Sequence, residues 1–324
     1  MIPGPIVFHG DNALTFRPGF EALLEQPIEI LTVSQSLGGE GEAEALARAG
    51  VVIGTAYTAA MPRLSAALYQ LPSAGYDAVD LAALPPGCAV CNVFGHEQAI
   101  AEYVLHALLS HHVPLAQADR QLRRGDWHHW AGKPSGLRSE LGAQSLGIVG
   151  HGHIGREIAR RAQAFGMEIH VANRSPVAEA GYAGRYGLDA LAEMAGKVDH
   201  LVVTLPLTEA TRGLVGAAVL AAMRPDAWIM NVGRGPVIDE DALFEALSSR
   251  RIGGAVLDTW YVYPSEADPA PMPATRPFHT LDNVVMTPHM SGWTHGTIAR
   301  RQRQMAENVN RLASGRALCN TVGT

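Results

Sequence analysis

Lysine is nearly missing from this 324-residue chain: only Lys133 and Lys197 occur, so almost all of the 25 basic residues are arginine. Cysteine is scarce too. Cys88, Cys91 and Cys319 are too few for a disulfide framework, which points to a reducing compartment. Cys88 and Cys91 have the spacing of a redox or metal pair, but no second ligand cluster accompanies them, so neither use is expected and no metal is assigned. No stretch approaches the roughly 20 apolar residues that span a bilayer, and the first residues lack a basic start followed by an apolar run. A cytoplasmic protein without a membrane partner is the expectation. Basic residues fall short of acidic ones, 25 against 31, for a net charge of −6. That balance argues against nucleic acid as a general partner and against a polybasic membrane contact.

Apolar residues make up 47% of the chain, enough to bury a sizeable core, and the length suggests about two domains. Up to about residue 95, short apolar runs (PIVFHG, IEILTVS, AGVVIGTAY, CAVCNVFG) alternate with helical or small-residue stretches, the signature of α/β structure with a parallel sheet. A helical pattern starts near His96, with Ile100, Tyr103, Val104, Ala107 and Leu108 on one face. The polar, aromatic-containing stretch around Trp127 and Trp130 has no clean period and reads as a linker or an arm. Regular alternation resumes at Ser145 with strand SLGIVG, helix HIGREIARRAQAF and strand MEIHVAN. Further strands follow at HLVVTLP, AWIMNVG, GGAVLDTW and NVVMTPH. A Pro-rich loop interrupts the series near residue 264, and a last helix runs from Ile298 to Leu312 with no sheet of its own.

Gly150, Gly152 and Gly155 form G-x-G-x-x-G where a strand turns into a helix. The strand and the apolar helix positions Ile154, Ile158, Ala162 and Phe165 supply the βα unit that this motif needs. The first glycine makes the tight turn, the second lets the backbone approach a pyrophosphate, and the third allows close packing of helix on strand. Amides of His153 and Ile154 would then face the phosphates at a helix start. The next strand should end in an acidic residue if it reads a ribose 2′-hydroxyl. It ends instead in Asn173, Arg174 and Ser175, a set that accepts a 2′-phosphate, so NADP(H) is favoured over NAD(H).

Three segments behind the glycine motif, NVGRGPVIDEDALFEAL, GGAVLD and VVMTPHMSGWT, resemble the D-isomer-specific 2-hydroxyacid dehydrogenases in order and spacing. SAGYDAVD, CNVFGHEQAIAEYVLHALL and TLPLTEATRGLV resemble the same family, so the likeness covers nearly the whole chain. The resemblance implies a Rossmann cofactor domain inserted into a flavodoxin-like substrate domain, and a homodimer. On this chain that means residues 1–95 plus 289–324 around 96–288. It further implies Arg234 as the arginine that binds carboxylate and carbonyl, and His289 as proton donor. Backbone amides of Ala74 and Gly75 would hold the substrate carboxylate, with Asn92 beside them. Leu205, Pro206, Val232 and Gly233 would line the cofactor pocket, with Asp258 near the nicotinamide amide and Ser291 and Gly292 on the same side.

The chain departs from the family pattern at one place. The glutamate expected five residues after Asp258 is Tyr263, which can orient the histidine but is neutral and cannot raise its pKa. Glu266 or Asp268, in the same loop, could replace the missing carboxylate. Formate dehydrogenases of the family carry a neutral glutamine there, which makes formate oxidation the alternative to reduction of a small 2-keto acid of the glyoxylate or hydroxypyruvate type. A non-catalytic NAD(P)-sensing protein is a third reading, against which the presence of both Arg234 and His289 weighs. Tyr76, Phe94, Trp260, Tyr261 and Trp293 either shape the substrate pocket or fill the core.

Overall fold

Two parallel sheets organise the chain in the structure, a computed structural model that describes residues 2–134, 136–265 and 267–323. Each sheet belongs to its own unit, the first formed by Met1–Gly95 and Thr294–Thr324, the second by His96–Trp293. The sequence reading put the return to the first unit after residue 288, whereas the second unit runs on to Trp293. The reason is local: Thr287, Met290 and Ser291 are hydrogen-bonded to Asp258, which holds this loop to the second sheet.

In the first unit, β1 (Ile6–His9), β2 (Ile30–Val33), β3 (Val51–Gly54), β4 (Leu68–Gln70) and β5 (Ala89–Cys91) pair in the order β2-β1-β3-β4-β5. All the pairings are parallel, and the order is the flavodoxin-like one. Successive strand residues face opposite sides, so Val51 and Ile53 join Ile6 and Phe8 in one core while Val52 joins Tyr57 and Tyr69 in another. The C-terminal helix, His295–Ala313, completes the first of these cores with Met305, Ala306 and Val309. Its start is capped by Thr294, whose hydroxyl accepts the Thr297 N–H at 3.1 Å. The helix without a sheet of its own therefore covers the sheet formed by the first 95 residues.

In the second unit, β6 (Ser145–Val149), β7 (Glu168–Ala172), β8 (Gly184–Tyr186), β9 (His200–Val203), β10 (Trp228–Asn231), β11 (Gly254–Leu257) and β12 (Val284–Met286) pair in the order β12-β11-β10-β9-β6-β7-β8. Again every pairing is parallel. The strand order reverses between β6 and β9, and the C-terminal edge at such a switch point is where α/β sheets receive ligands. Helix Glu97–His112 lays Ile100, Val104 and Leu108 on Ile148 and Ile158, the four-residue spacing placing them on one face. The arm that follows leaves Trp127 and Trp130 exposed. Among the described residues, no helix is long and apolar enough to cross a membrane.

Candidate active site

The glycine loop leaves β6 at the switch point. Gly150 has φ +104°, in the region that favours glycine, and a Cβ there would meet Thr204 Oγ1 at 2.7 Å. A Cβ on Gly155 would lie 2.0 Å from the Gly150 carbonyl oxygen, so helix His153–Ala164 packs on the strand only because that position has no side chain. Gly152 caps this helix with no side-chain oxygen, and a Cβ there would meet nothing within 4 Å. The start of a 12-residue helix thus receives no side-chain cap from Gly152, which stands beside open space, and this fits the pyrophosphate of a dinucleotide. Leu205 and Gly233 close the neighbouring strand ends: a Cβ on Gly233 would sit 2.6 Å from the Leu205 carbonyl oxygen. Leu205 and Val232 are buried there.

Asn173 is engaged in holding the loop. Its Oδ1 accepts the His151 N–H at 3.2 Å and its Nδ2 donates to the Ser175 carbonyl at 3.0 Å, tying the glycine loop to the turn after β7. Arg174 and Ser175 stand exposed in that turn. His151 is buried and its Nε2 meets the Tyr182 hydroxyl at 2.8 Å, a contact across 31 residues that no local pattern announces.

The ends of β10 and β11 carry the polar chemistry. Buried Asn231 shapes the first: its Oδ1 accepts the Gly233 N–H at 3.1 Å and its Nδ2 donates to the Arg234 carbonyl at 3.0 Å. This holds the half-buried Arg234 in an extended backbone, and one of its guanidinium nitrogens donates to the Gly233 carbonyl at 2.9 Å. Asp258 is fully buried at the end of β11 and binds the loop that bears His289. Its Oδ1 accepts the Thr287 hydroxyl at 2.6 Å and the Met290 N–H at 2.8 Å, and its Oδ2 accepts the Ser291 N–H at 2.9 Å. The Thr287 hydroxyl proton is thereby committed to Asp258, so the Tyr103 hydroxyl, 2.7 Å away, donates to Thr287. Trp260 Nε1 adds a bond to the Thr287 carbonyl at 2.7 Å. These bonds hold His289 at φ +57°, a left-handed backbone that costs about 1 kcal/mol in a residue with a Cβ. Asp258, expected beside the nicotinamide amide, is the anchor of the histidine loop.

Tyr263 meets the histidine directly. Its hydroxyl accepts the Trp260 N–H at 3.1 Å and lies 2.9 Å from His289 Nδ1. Partial desolvation, followed by the Arg234 charge, holds the His289 pKa below the ordinary imidazole value, against an opposing pull from Asp258. Desolvation also pushes the Tyr263 phenol above its ordinary value, so it stays neutral through the working range. Of the two carboxylates considered as replacements, Glu266 lies outside the described residues. The Asp268 side chain accepts the Ala270 N–H within its own turn, at 3.3 Å. Trp260 is a core residue, packed with Phe278, whereas Tyr76 and Trp293 are exposed.

In the first unit, three successive carbonyls of the SAGY loop are tied down. Ser73 O accepts the Val93 N–H at 3.1 Å, Ala74 O accepts Asn92 Nδ2 at 2.8 Å, and Gly75 O accepts the Ser73 hydroxyl at 2.7 Å. In a trans peptide the N–H points opposite to its carbonyl, so the amides of Ala74, Gly75 and Tyr76 are turned away from these partners. None of the three has a hydrogen-bond acceptor among the described residues. Consecutive outward amides make an anion receptor. Asn92, 6% exposed, contributes by holding the loop.

Comparison with known proteins gives the family. A family model described as D-isomer specific 2-hydroxyacid dehydrogenase, NAD binding domain, matches residues 105–291. A glyoxylate/hydroxypyruvate reductase B of Citrobacter koseri is 35% identical over 275 residues, covering 82% of this chain and 80% of the relative. Among solved structures, a D-isomer specific 2-hydroxyacid dehydrogenase from Xanthobacter autotrophicus Py2, in complex with NADPH and MES, superposes with a TM-score of 0.79 at 28% identity, covering 99% of this chain and 98% of that one. An NADPH-dependent glyoxylate/hydroxypyruvate reductase from Sinorhizobium meliloti, with NADP and malonate, gives 0.75 at 26% identity over 99% and 97%.

Proposed function

Because the chain belongs to the D-isomer specific 2-hydroxyacid dehydrogenases, NAD(P)-dependent oxidoreductases acting on CH–OH groups, we propose that it reduces a small 2-keto acid of the glyoxylate or hydroxypyruvate type to the D-2-hydroxy acid, with NADPH as the preferred donor. The observation that carries this reading is a half-buried arginine, Arg234, placed so that its charge acts on the His289 ring. A bound nicotinamide supplies the hydride that the carbonyl carbon receives. The planar Arg234 guanidinium donates to the carboxylate and carbonyl oxygens and stabilises the negative charge that develops on the latter. His289 gives a proton from Nε2 to that oxygen, and the ring is left neutral. The hydrogen that remains on the neutral ring is the one on Nδ1, which donates to the Tyr263 oxygen beside the Trp260 N–H that the same oxygen accepts, and this leaves Nε2 as the nitrogen that gives and takes the proton. The outward amides of Ala74 and Gly75 are suited to a carboxylate.

A panel of glyoxylate, hydroxypyruvate and larger 2-keto acids, assayed by NADPH and NADH oxidation alongside formate with NADP+ and NAD+, tests this function. Turnover of the small keto acids with NADPH is expected. Formate oxidation without keto-acid turnover would instead support the second reading, which the neutral partner of His289 favours, and no turnover at all would remove both. For the cofactor, exposed Arg174 and Ser175 and the absence of a carboxylate after β7 support NADPH. Arg174→Ala should raise KM for NADPH about tenfold, the worth of a charge-assisted hydrogen bond, and leave KM for NADH within about twofold. An equal rise for both cofactors would contradict the assignment. A cytoplasmic homodimer fits the same reading, since the arm exposes Leu122, Trp127, Trp130 and Leu137 for a second copy to cover.

A further inference from the structure

A buried polar network in the first unit serves none of the roles above. Gln70 and Asn308, 0% and 1% exposed, sit at the end of β4 and on the C-terminal helix. Gln70 Nε2 donates to the carbonyls of Leu71 at 3.1 Å and Cys91 at 3.0 Å, and its Oε1 accepts Asn308 Nδ2 at 2.8 Å. Asn308 in turn holds the backbone of Cys319 on both sides: Nδ2 donates to the carbonyl at 3.0 Å and Oδ1 accepts the N–H at 2.8 Å. The two side-chain amides thus have all their donors and acceptors engaged. From Cys319 the chain runs antiparallel along β5, with the Asn92 N–H donating to Asn320 O at 3.0 Å and the Val322 N–H to Val90 O at 2.9 Å.

A complete buried amide network fixes register, since any slip leaves polar groups unpaired. The register fixed here is that of segment Leu318–Val322 against Asn92. Asn92 is the residue whose side chain holds the Ala74 carbonyl, and through it the direction of the Gly75 N–H.

We infer that segment Leu318–Val322, locked by Asn308 and Gln70, is a positioning element for the carboxylate-binding loop at Ala74–Tyr76. It fixes the backbone of Asn92, Asn92 fixes the Ala74 carbonyl, and the outward amides keep their aim. The inference rests on the proposed reading of these amides as the substrate-carboxylate site. It assigns substrate affinity, and not the chemical step, to a segment that touches no substrate.

Two variants of the full-length protein test it. Val322→Pro removes the donor to Val90, and the double substitution Gln70→Leu with Asn308→Leu removes the network without leaving a half-paired amide. For each, KM for glyoxylate, kcat, KM for NADPH and the inhibition constant of oxamate, an unreduced carboxylate analogue, are measured. In both variants KM for glyoxylate and the oxamate constant should rise together about tenfold, with kcat and KM for NADPH within about twofold of the unmodified enzyme. A lower melting temperature with both substrate-site constants unchanged would show a purely structural role and overturn the inference. So would a fall in kcat alone. If the unmodified enzyme reduces no 2-keto acid, it is the proposed function that fails, and this inference falls with it.

Discussion

Arg234→Ala should lower kcat/KM for 2-keto acid reduction by about a thousandfold or more, because one side chain is asked both to bind the carboxylate and to stabilise charge on the carbonyl oxygen. Arg234→Lys should recover little of this, since a single ammonium cannot present two parallel donors to a planar acid. The fold should tolerate both changes. The 231–235 turn is built by the Asn231 side chain and by backbone groups, to which the Arg234 side chain adds one bond, to the Gly233 carbonyl. Steady-state kinetics with a thermal melt check the prediction, and a loss of less than about tenfold at unchanged melting temperature would remove Arg234 from the chemistry. The same substitution removes one of the causes that hold the His289 pKa down, so any residual activity should persist to higher pH than in the unmodified enzyme.

Tyr263→Glu should reshape the pH profile. In the unmodified enzyme the His289 pKa lies below the ordinary imidazole value, so the ring is mostly neutral at pH 7. Reduction draws on the protonated ring and is therefore fastest on the acid side, declining as pH rises through that lowered pKa. A carboxylate beside Nδ1 favours imidazolium and should raise the pKa by about 1 to 3 units. Above both pKa values each unit multiplies the protonated fraction by about ten, so at pH 8 reduction by the variant should outpace the unmodified enzyme by about tenfold or more. Oxidation of the hydroxy acid, which needs the ring unprotonated, should move the opposite way. Superimposable pH profiles of kcat/KM for the two proteins would contradict the role given to Tyr263.

Features that depend on local spacing were legible in the sequence. Gly150 and Gly155 of the dinucleotide loop sit where Cβ atoms would strike Thr204 or the loop's own backbone, and the apolar runs of β1, β3 and β9 are buried along their whole length. Arg234, His289 and Tyr263 could be singled out because each lies in a short segment whose spacing resembles a family pattern. Features that depend on pairing across the chain were not. Strand β4 has only three residues, too few to show a period, and it merges with the loop that follows. Asp258 and Asn173 were read by position as cofactor contacts, while their bonds to the 287–291 loop and to His151 emerge only when distant segments meet. The link between Gln70 and Asn308 spans 238 residues and leaves no trace in composition or periodicity. Tyr263 is an intermediate case: its identity was plain, but the Trp260 N–H that shares its oxygen with His289 is a backbone contact of the folded loop.

The protonation of one ring decides the proposed chemistry, and nitrogen-resolved NMR of His289 in the intact enzyme tests it most directly. The long-range ring couplings of 15N-labelled histidine, with a His289→Gln variant to assign the signal, report both tautomer and pKa. A neutral ring carrying its hydrogen on Nδ1 at pH 7.5, with a pKa below about 6.5, is the outcome predicted from the Tyr263 hydrogen bond and the Arg234 charge. A ring with its hydrogen on Nε2, or one still protonated at pH 7.5, would contradict it.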